Sequence, residues 1–381
     1  MKGWSIVVVV AGLCSACAKK APAADAGAAP SVAPVVDALP SSAVPDAGVP
    51  SLPVAPVAPV PAPPGIAPSS SPLLALLPPA AAVYGRIDLA AVMSAEPPGE
   101  SRDKVLGMVP PPCAALIGSL QELAVAVYAA APAGVVAVLR GPDDAAIRSC
   151  AEGALARDGS APRVETRGGR ELAIFAATGD AMFAADATTH VYTSQALIVA
   201  ALAAAAGGPA LGGAPVLDVR SQVPAGAIAM AAKLPAEHAA RIARGLTEIG
   251  DGQPAPVPAA FAAAIEASRP LRFTVALVLE DEAAATTMER IAGFGLDRLR
   301  LGWAQEQVAL AAAPPEAKAD ARLLAQLGPL VESLAVAREG GTVRLTAQTT
   351  LTVFEFVGAL SAFAIPAVLR YLAADGGATG P

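Results

Sequence analysis

Residues 122–139 read ELAVAVYAAAPAGVVAVL, two short Val- and Ala-rich runs on either side of a Pro/Gly break. Each run, Glu122 to Tyr128 and Gly134 to Leu139, is too short for an ordinary helix and has the β-branched content of a buried strand. Ala-Ala-Pro-Ala-Gly between them is turn punctuation, so the stretch predicts an antiparallel hairpin. Pro142 with Asp143 and Asp144 then forms a helix start signal, and a helix is expected to about Ala156.

Working outward, the same signals predict strands at 82–87, 163–165, 171–176, 180–185 and 190–193, with a helix capped by Asp88 and another over 195–206. The stretch 103–120 is helix-prone but interrupted by Pro110-Pro111-Pro112, and 207–213 is expected to be a loop. Beyond it the pattern predicts a strand at 227–233, a helix at 235–249, a strand at 271–279, helices at 281–301 and 318–332, a hairpin at 334–351 and a final helix. The fold class is therefore α+β, mostly antiparallel sheets with packed helices. Ser119-Leu120 and Ser333-Leu334 each lead through a hairpin into a helix, which suggests an internal duplication with halves 81–215 and 216–381 in a globular region 81–381.

Upstream, residues 21–80 hold 16 of the 37 prolines, no Lys or Arg, and only Asp25, Asp37 and Asp46 as charges. Runs such as 54–61, VAPVAPVP, cannot propagate a helix or build a central strand, because proline lacks the N–H. Residues 17–80 are thus expected to be the N-terminus and a disordered tether, of which 21–80 span roughly 190 Å if fully extended as polyproline II and about 45 Å as a flexible coil. A low-complexity segment without a spacer role has the same composition.

Residues 1–20, MKGWSIVVVVAGLCSACAKK, place a positive Lys2 before a short apolar core, followed by small Ser15 and Ala16 and then Cys17. That order is a secretory signal over 1–16, too short to span a bilayer as a mature helix. It resembles the signals of bacterial lipoproteins, which end in a lipobox with cysteine as the first mature residue. It departs from the family pattern in having Cys14 where leucine is usual, and a plain secretory cut near Ala16 also satisfies a small-x-small rule. The resemblance implies a diacylglycerol on the Cys17 sulfur, an acylated N-terminus, membrane lipid as a partner and a place in the cell envelope, outer membrane or periplasmic face. In style the remainder is similar to the large extracytoplasmic domains of lipoproteins from Pro/Ala-rich, myxobacterial-type proteomes, and that similarity implies no activity.

A formal charge of −7 with no basic run argues against nucleic acid as a partner. Cys113 and Cys150 are the exported pair, and an even pair in an oxidising compartment favours a disulfide; two buried thiols are the alternative. Cys150 shares the apolar stripe Ile147, Cys150, Ala151, Ala154. His190 and His238 are the only histidines, which excludes a His-rich metal site, and each reads as an ordinary strand or helix residue. No nucleophile elbow, phosphate loop, zinc motif or cofactor fingerprint occurs, so no cofactor is expected. Glu280-Asp281-Glu282 follows a strand and opens a helix, where negative charge complements the helix dipole. Residues 353–372 are nearly all apolar. Within them 358–367 resembles part of the type IV pilin N-terminal helix, so a buried helix and a membrane or partner contact both remain open. Three classes follow: a non-enzymatic tethered domain with an unknown envelope protein partner, an envelope hydrolase whose site no motif exposes, and a protein with a second, C-terminal contact helix.

Overall fold

A computed structural model of the chain describes residues 71–96, 120–141, 145–149, 162–250, 252–311 and 328–356, with gaps at 131–132, 148, 177 and 213, together with 99, 103, 113, 116 and 119. They all fall in one compact unit. The signal, Cys17, Cys150 and the tail beyond Phe356 lie outside the described residues.

Among the described residues twelve strands form one fully antiparallel sheet, confirming the α+β class. In chain order they are β1 (Val83–Asp88), β2 (Glu122–Tyr128), β3 (Gly134–Arg140), β4 (Arg163–Arg167), β5 (Arg170–Ile174), β6 (Ala181–Asp186), β7 (Thr189–Thr193), β8 (Ile228–Lys233), β9 (Ala260–Glu266), β10 (Leu271–Val278), β11 (Ala335–Glu339) and β12 (Thr342–Thr349). In space they run β11-β12-β10-β9-β8-β1-β2-β3-β7-β6-β5-β4. Among the described residues they are accompanied by helices α1 (Leu89–Ala95), α2 (Ile198–Ala205), α3 (Pro215–Arg220), α4 (Ala236–Ile249) and α5 (Glu282–Ala311). Shorter helical pieces stand at 145–147, 328–333 and 353–356.

Helical elements pack on both faces of the sheet, so central β2 is apolar and buried almost throughout, whereas edge strand β4 (RVETR) is largely exposed. The first face carries Ala124, Ala126, Val136, Val138, Leu172 and Phe183 under α2, α3 and the 3-10 turn Pro72–Leu76. The second carries Leu123, Val125 and Val135, with Ile147, Met288 and Phe356 among the residues packed from the helices on that side.

The chain divides at the β1·β8 pairing, with β1–β7 on one side and β8–β12 on the other. The two sides share their ladders. Glu122 opposite Arg140 in β2·β3 becomes Ala260 opposite Val278 in β9·β10, 138 positions on, with no gap through the hairpin loop. Arg140 opposite Thr189 in β3·β7 becomes Val278 opposite Thr342 in β10·β12, and Ala181 opposite Thr193 becomes Ala335 opposite Thr346. One extra residue in β6, taken up as a bulge between Ala184 and Asp186, is the only register difference between β6·β7 and β11·β12. The sequence agrees: Ala124, Ala126, Ala129, Pro132 and Leu139 recur as Ala262, Ala264, Ala267, Pro270 and Leu277, and Asp143 as Asp281.

This corrects the equivalence expected from sequence. The counterpart of the β2–β3 hairpin is β9–β10, beside β8; β11–β12 lies at the sheet's far end and matches β6–β7. Strand β9, AFAAAIE, escaped notice because alanine is depleted in strands and gives no period-2 contrast. Helix α3 stands where no helix is expected, and α5 runs ten residues past the expected end at 301. The fold also begins ahead of residue 81. Leu73 is 2% and Leu77 0% exposed, so the last residues of the expected tether are core.

Candidate functional site

A cleft of about 770 Å³ opens at one end of the second half. The β9–β10 loop (Ser268, Arg269, Pro270) forms one wall, the end of β12 (Gln348, Thr349) another, and the segment Thr350–Val353 closes it. Its floor is apolar, from Leu271, Leu351 and Val353, which belong to a buried cluster with Val92 of α1.

The walls are held by backbone-directed bonds. Ser333 Oγ donates to Gln348 O at 2.7 Å and accepts from Gln348 N at 2.8 Å, fixing 328–333 to β12. Thr352 and Glu355 form a capping box: the Glu355 carboxylate accepts from Thr352 N at 2.9 Å, and Thr352 Oγ1 accepts from Glu355 N at 3.3 Å. Buried Glu96, just past α1, accepts from Phe354 N at 3.3 Å. A carboxylate there also suits the positive end of the last helix. Through it the first half of the chain supports the cleft of the second.

Polar chemistry concentrates elsewhere, at the start of β2. Glu122, 2% exposed, accepts from Arg86 Nε at 2.5 Å and Ser71 Oγ at 2.7 Å, and pairs with Arg140 at 2.7 Å. Burial alone would push its carboxyl pKa up, but the bonds from Arg86 and Ser71 and the charges of Arg86 and Arg140 hold it below the usual range. Nearby, burial raises Tyr84 to about 12, against the opposing charges of Arg86 and Arg220. Burial lowers Arg220, whose Nη1 donates to Val223 O at 2.9 Å. This cluster ties β1, β2 and β3 to Ser71. It positions strands.

The residues singled out in the sequence are dispersed. Cys113 is buried with Leu116, Ile147 and Met182. Cys17 and Cys150 are outside the described residues. His190 is buried on β7 and His238 is on α4, on separate elements. Asp281 accepts from Ala284 N at 2.7 Å, as a cap of α5, and Glu282 pairs with Arg338. Among the described residues no three His, Cys, Asp or Glu side chains could hold a metal ion, and no helix is long and apolar enough to cross a membrane. No motif announces the cleft, because its polar groups, the hydroxyls and amide with Arg269 and Glu332, are scattered over three segments. Glu122 did carry a signal, as a lone acid opening an apolar strand.

No protein-family model matches the chain, and no curated protein matches it significantly. Among solved structures, crystal forms I and III of TP0453 are similar, with TM-scores of 0.39 and 0.41 and 10% identity. They cover 77% and 76% of this chain and 98% of that one.

Proposed function

We propose that the chain is a lipid-anchored cell-envelope protein whose folded region is a non-enzymatic binding domain, taking an apolar segment of an envelope protein into the cleft at the end of β9, β10 and β12. The cleft itself carries the reading. Its volume lies in the range of ligand sites, its floor is apolar, and its rim offers Ser268, Gln348 and Thr350 for hydrogen bonds. The signal ending at Cys17 supplies the anchor, and the Pro/Ala-rich segment supplies reach. A Cys113–Cys150 disulfide is part of the proposal. Cys150 stands 138 positions before Met288, which is fully buried against the sheet, while Cys113 packs with Ile147, three residues before Cys150.

Two experiments test it. A photocrosslinking residue at Gln348, in intact cells, should capture one envelope protein, and filling the cleft with Leu351→Trp should abolish the capture. Capture that survives Leu351→Trp refutes the cleft as the binding place. Separately, Cys17→Ser should abolish radiolabelled palmitate incorporation; unchanged labelling refutes the anchor and leaves the cleft reading to stand or fall alone.

A further inference from the structure

The chain enters its fold through a plug. Ser71 is tied to Glu122, and Leu73 and Leu77 are buried beside Ile198 and Ala201 of α2, Leu211 and Val223. Leu211 N donates to Leu77 O at 2.7 Å, and Tyr128 OH donates to Pro78 O at 2.7 Å. Every one of these partners lies later in the chain, so the groove is complete without the plug's own residues.

The connection from plug to β1 is short and strained. Pro78 is buried, Pro79 and Ala80 are exposed, and Ala82 N already donates to Val127 O as the sheet begins. Ala80 has φ of 67°, a left-handed conformation that its Cβ disfavours. Two prolines before it limit how the backbone can relax. A segment at the start of the folded region that fits a preformed groove and is joined by a short strained hinge is the arrangement that favours segment exchange.

We propose that residues 71–77 exchange between two copies of this chain, each plug occupying the other's groove, with the strain at Ala80 released when the hinge extends. The occupant is fixed by the fold itself: a second copy presents the same Ser71, Leu73 and Leu77 to the same Glu122, Leu211 and α2. The inference does not depend on the anchor or the cleft.

The test uses the full-length chain in detergent at an excess of micelles, followed by sedimentation over a wide concentration range. Wild type should show a monomer–dimer equilibrium. Ala80→Gly, which removes the strain from the monomer at both hinges, should weaken the dimer by about tenfold per hinge, roughly a hundredfold in all. An excess of a synthetic peptide covering 70–82 should shift the dimer to monomer by taking the grooves. A chain that stays monomeric at every concentration, or a dimer that neither Ala80→Gly nor the peptide weakens, overturns the proposal. Folding of Ala80→Gly is not at risk, because glycine adopts this φ freely.

Discussion

The two halves of the sheet use the same ladders for different surfaces. On the first face, β1–β7 present Val136, Val138, Phe183 and Val191 to α2 and the plug, whereas the equivalent positions of β8–β12 are Thr274, Ala276, Ala337 and Arg344. Bulk in the first half packs against α2 and the plug, whereas Thr274 and Ala276 of the second half are buried with small side chains. Gly134 shows how the paths part. A Cβ there would stand 2.9 Å from Ser194 Cβ and 3.0 Å from Leu197, so glycine lets the chain turn straight from β7 into α2. Arg272 occupies the equivalent position in β10, and after β12 the chain crosses instead to the second face, where Val353 and Phe356 are buried and the cleft forms. A repeated framework thus yields a closed half and an open one.

The sharpest contrast is Arg86, Glu122 and Arg140 against Ala231, Ala260 and Val278, the residues in the same ladder positions. Removing the acid alone leaves two cations facing each other, so Glu122→Ala should cost about 3–5 kcal/mol. Arg86→Ala/Glu122→Ala/Arg140→Val, which writes the second half's residues into the first, should recover most of that loss, since a buried pair replaced by apolar residues is often neutral. Urea unfolding measures both. The depressed Glu122 pKa contributes stability above its unfolded value, about 4.3, and that contribution fades as pH falls through the folded value. The triple variant should therefore lose stability less steeply in acid than wild type. Equal destabilisation of the single and triple variants would mean the network does more than balance charge.

Tyr84, whose counterpart is Ala229, sharpens the comparison at high pH. The unfolded phenol ionises near 10 and the folded one at about 12, so the folded state holds a proton that the unfolded state has lost. Stability from this group is intact below pH 10 and declines by roughly 2 kcal/mol as pH rises to 12. Tyr84→Phe should remove that decline from the alkaline limb of a thermal-denaturation series. An unaltered limb would assign it to other groups. At Gly134, alanine should cost about 1–3 kcal/mol by crowding Ser194 and Leu197, whereas Arg272→Ala in the second half should be close to neutral.

How far the sequence discloses this fold depends on side-chain contrast. The Pro142-Asp143-Asp144 start signal and most of the helix expected to Ala156 lie outside the described residues, while Val-rich β2 and β3 are legible because β-branched runs have few alternatives. β9 is not, since five of its seven residues are Ala or Glu and its burial comes from neighbours on both faces. The plug was assigned to the tether because Pro72, Pro78 and Pro79 dominate its composition, although Leu73 and Leu77 are what the core selects. Sequence likeness pairs β2–β3 with β11–β12, whereas the shared register pairs it with β9–β10, because Ala/Val segments resemble one another and only hydrogen-bond register separates them. The cleft could not be read at all: its walls meet through contacts such as Glu96 to Phe354, 258 positions apart.

The smallest effect concerns how each half enters its last helical element. In the first half Asp180 accepts from Gln195 N at 3.1 Å and from Tyr192 OH at 2.5 Å, so a side chain from the neighbouring strand caps the turn. In the second half the cap is local, supplied by Thr352 and Glu355, with Glu96 reaching across from α1. A local capping box is worth about 1 kcal/mol, so Thr352→Ala should lower stability by that amount in urea unfolding. It should also loosen the cleft wall, seen as faster amide exchange at Phe354 and Glu355. Glu355→Gln keeps an acceptor for Thr352 N and should lose less than half as much. If Thr352→Ala leaves exchange at these amides unchanged, Glu96 alone sets the start of this helix, and the second half is capped across the chain just as the first is capped across the sheet.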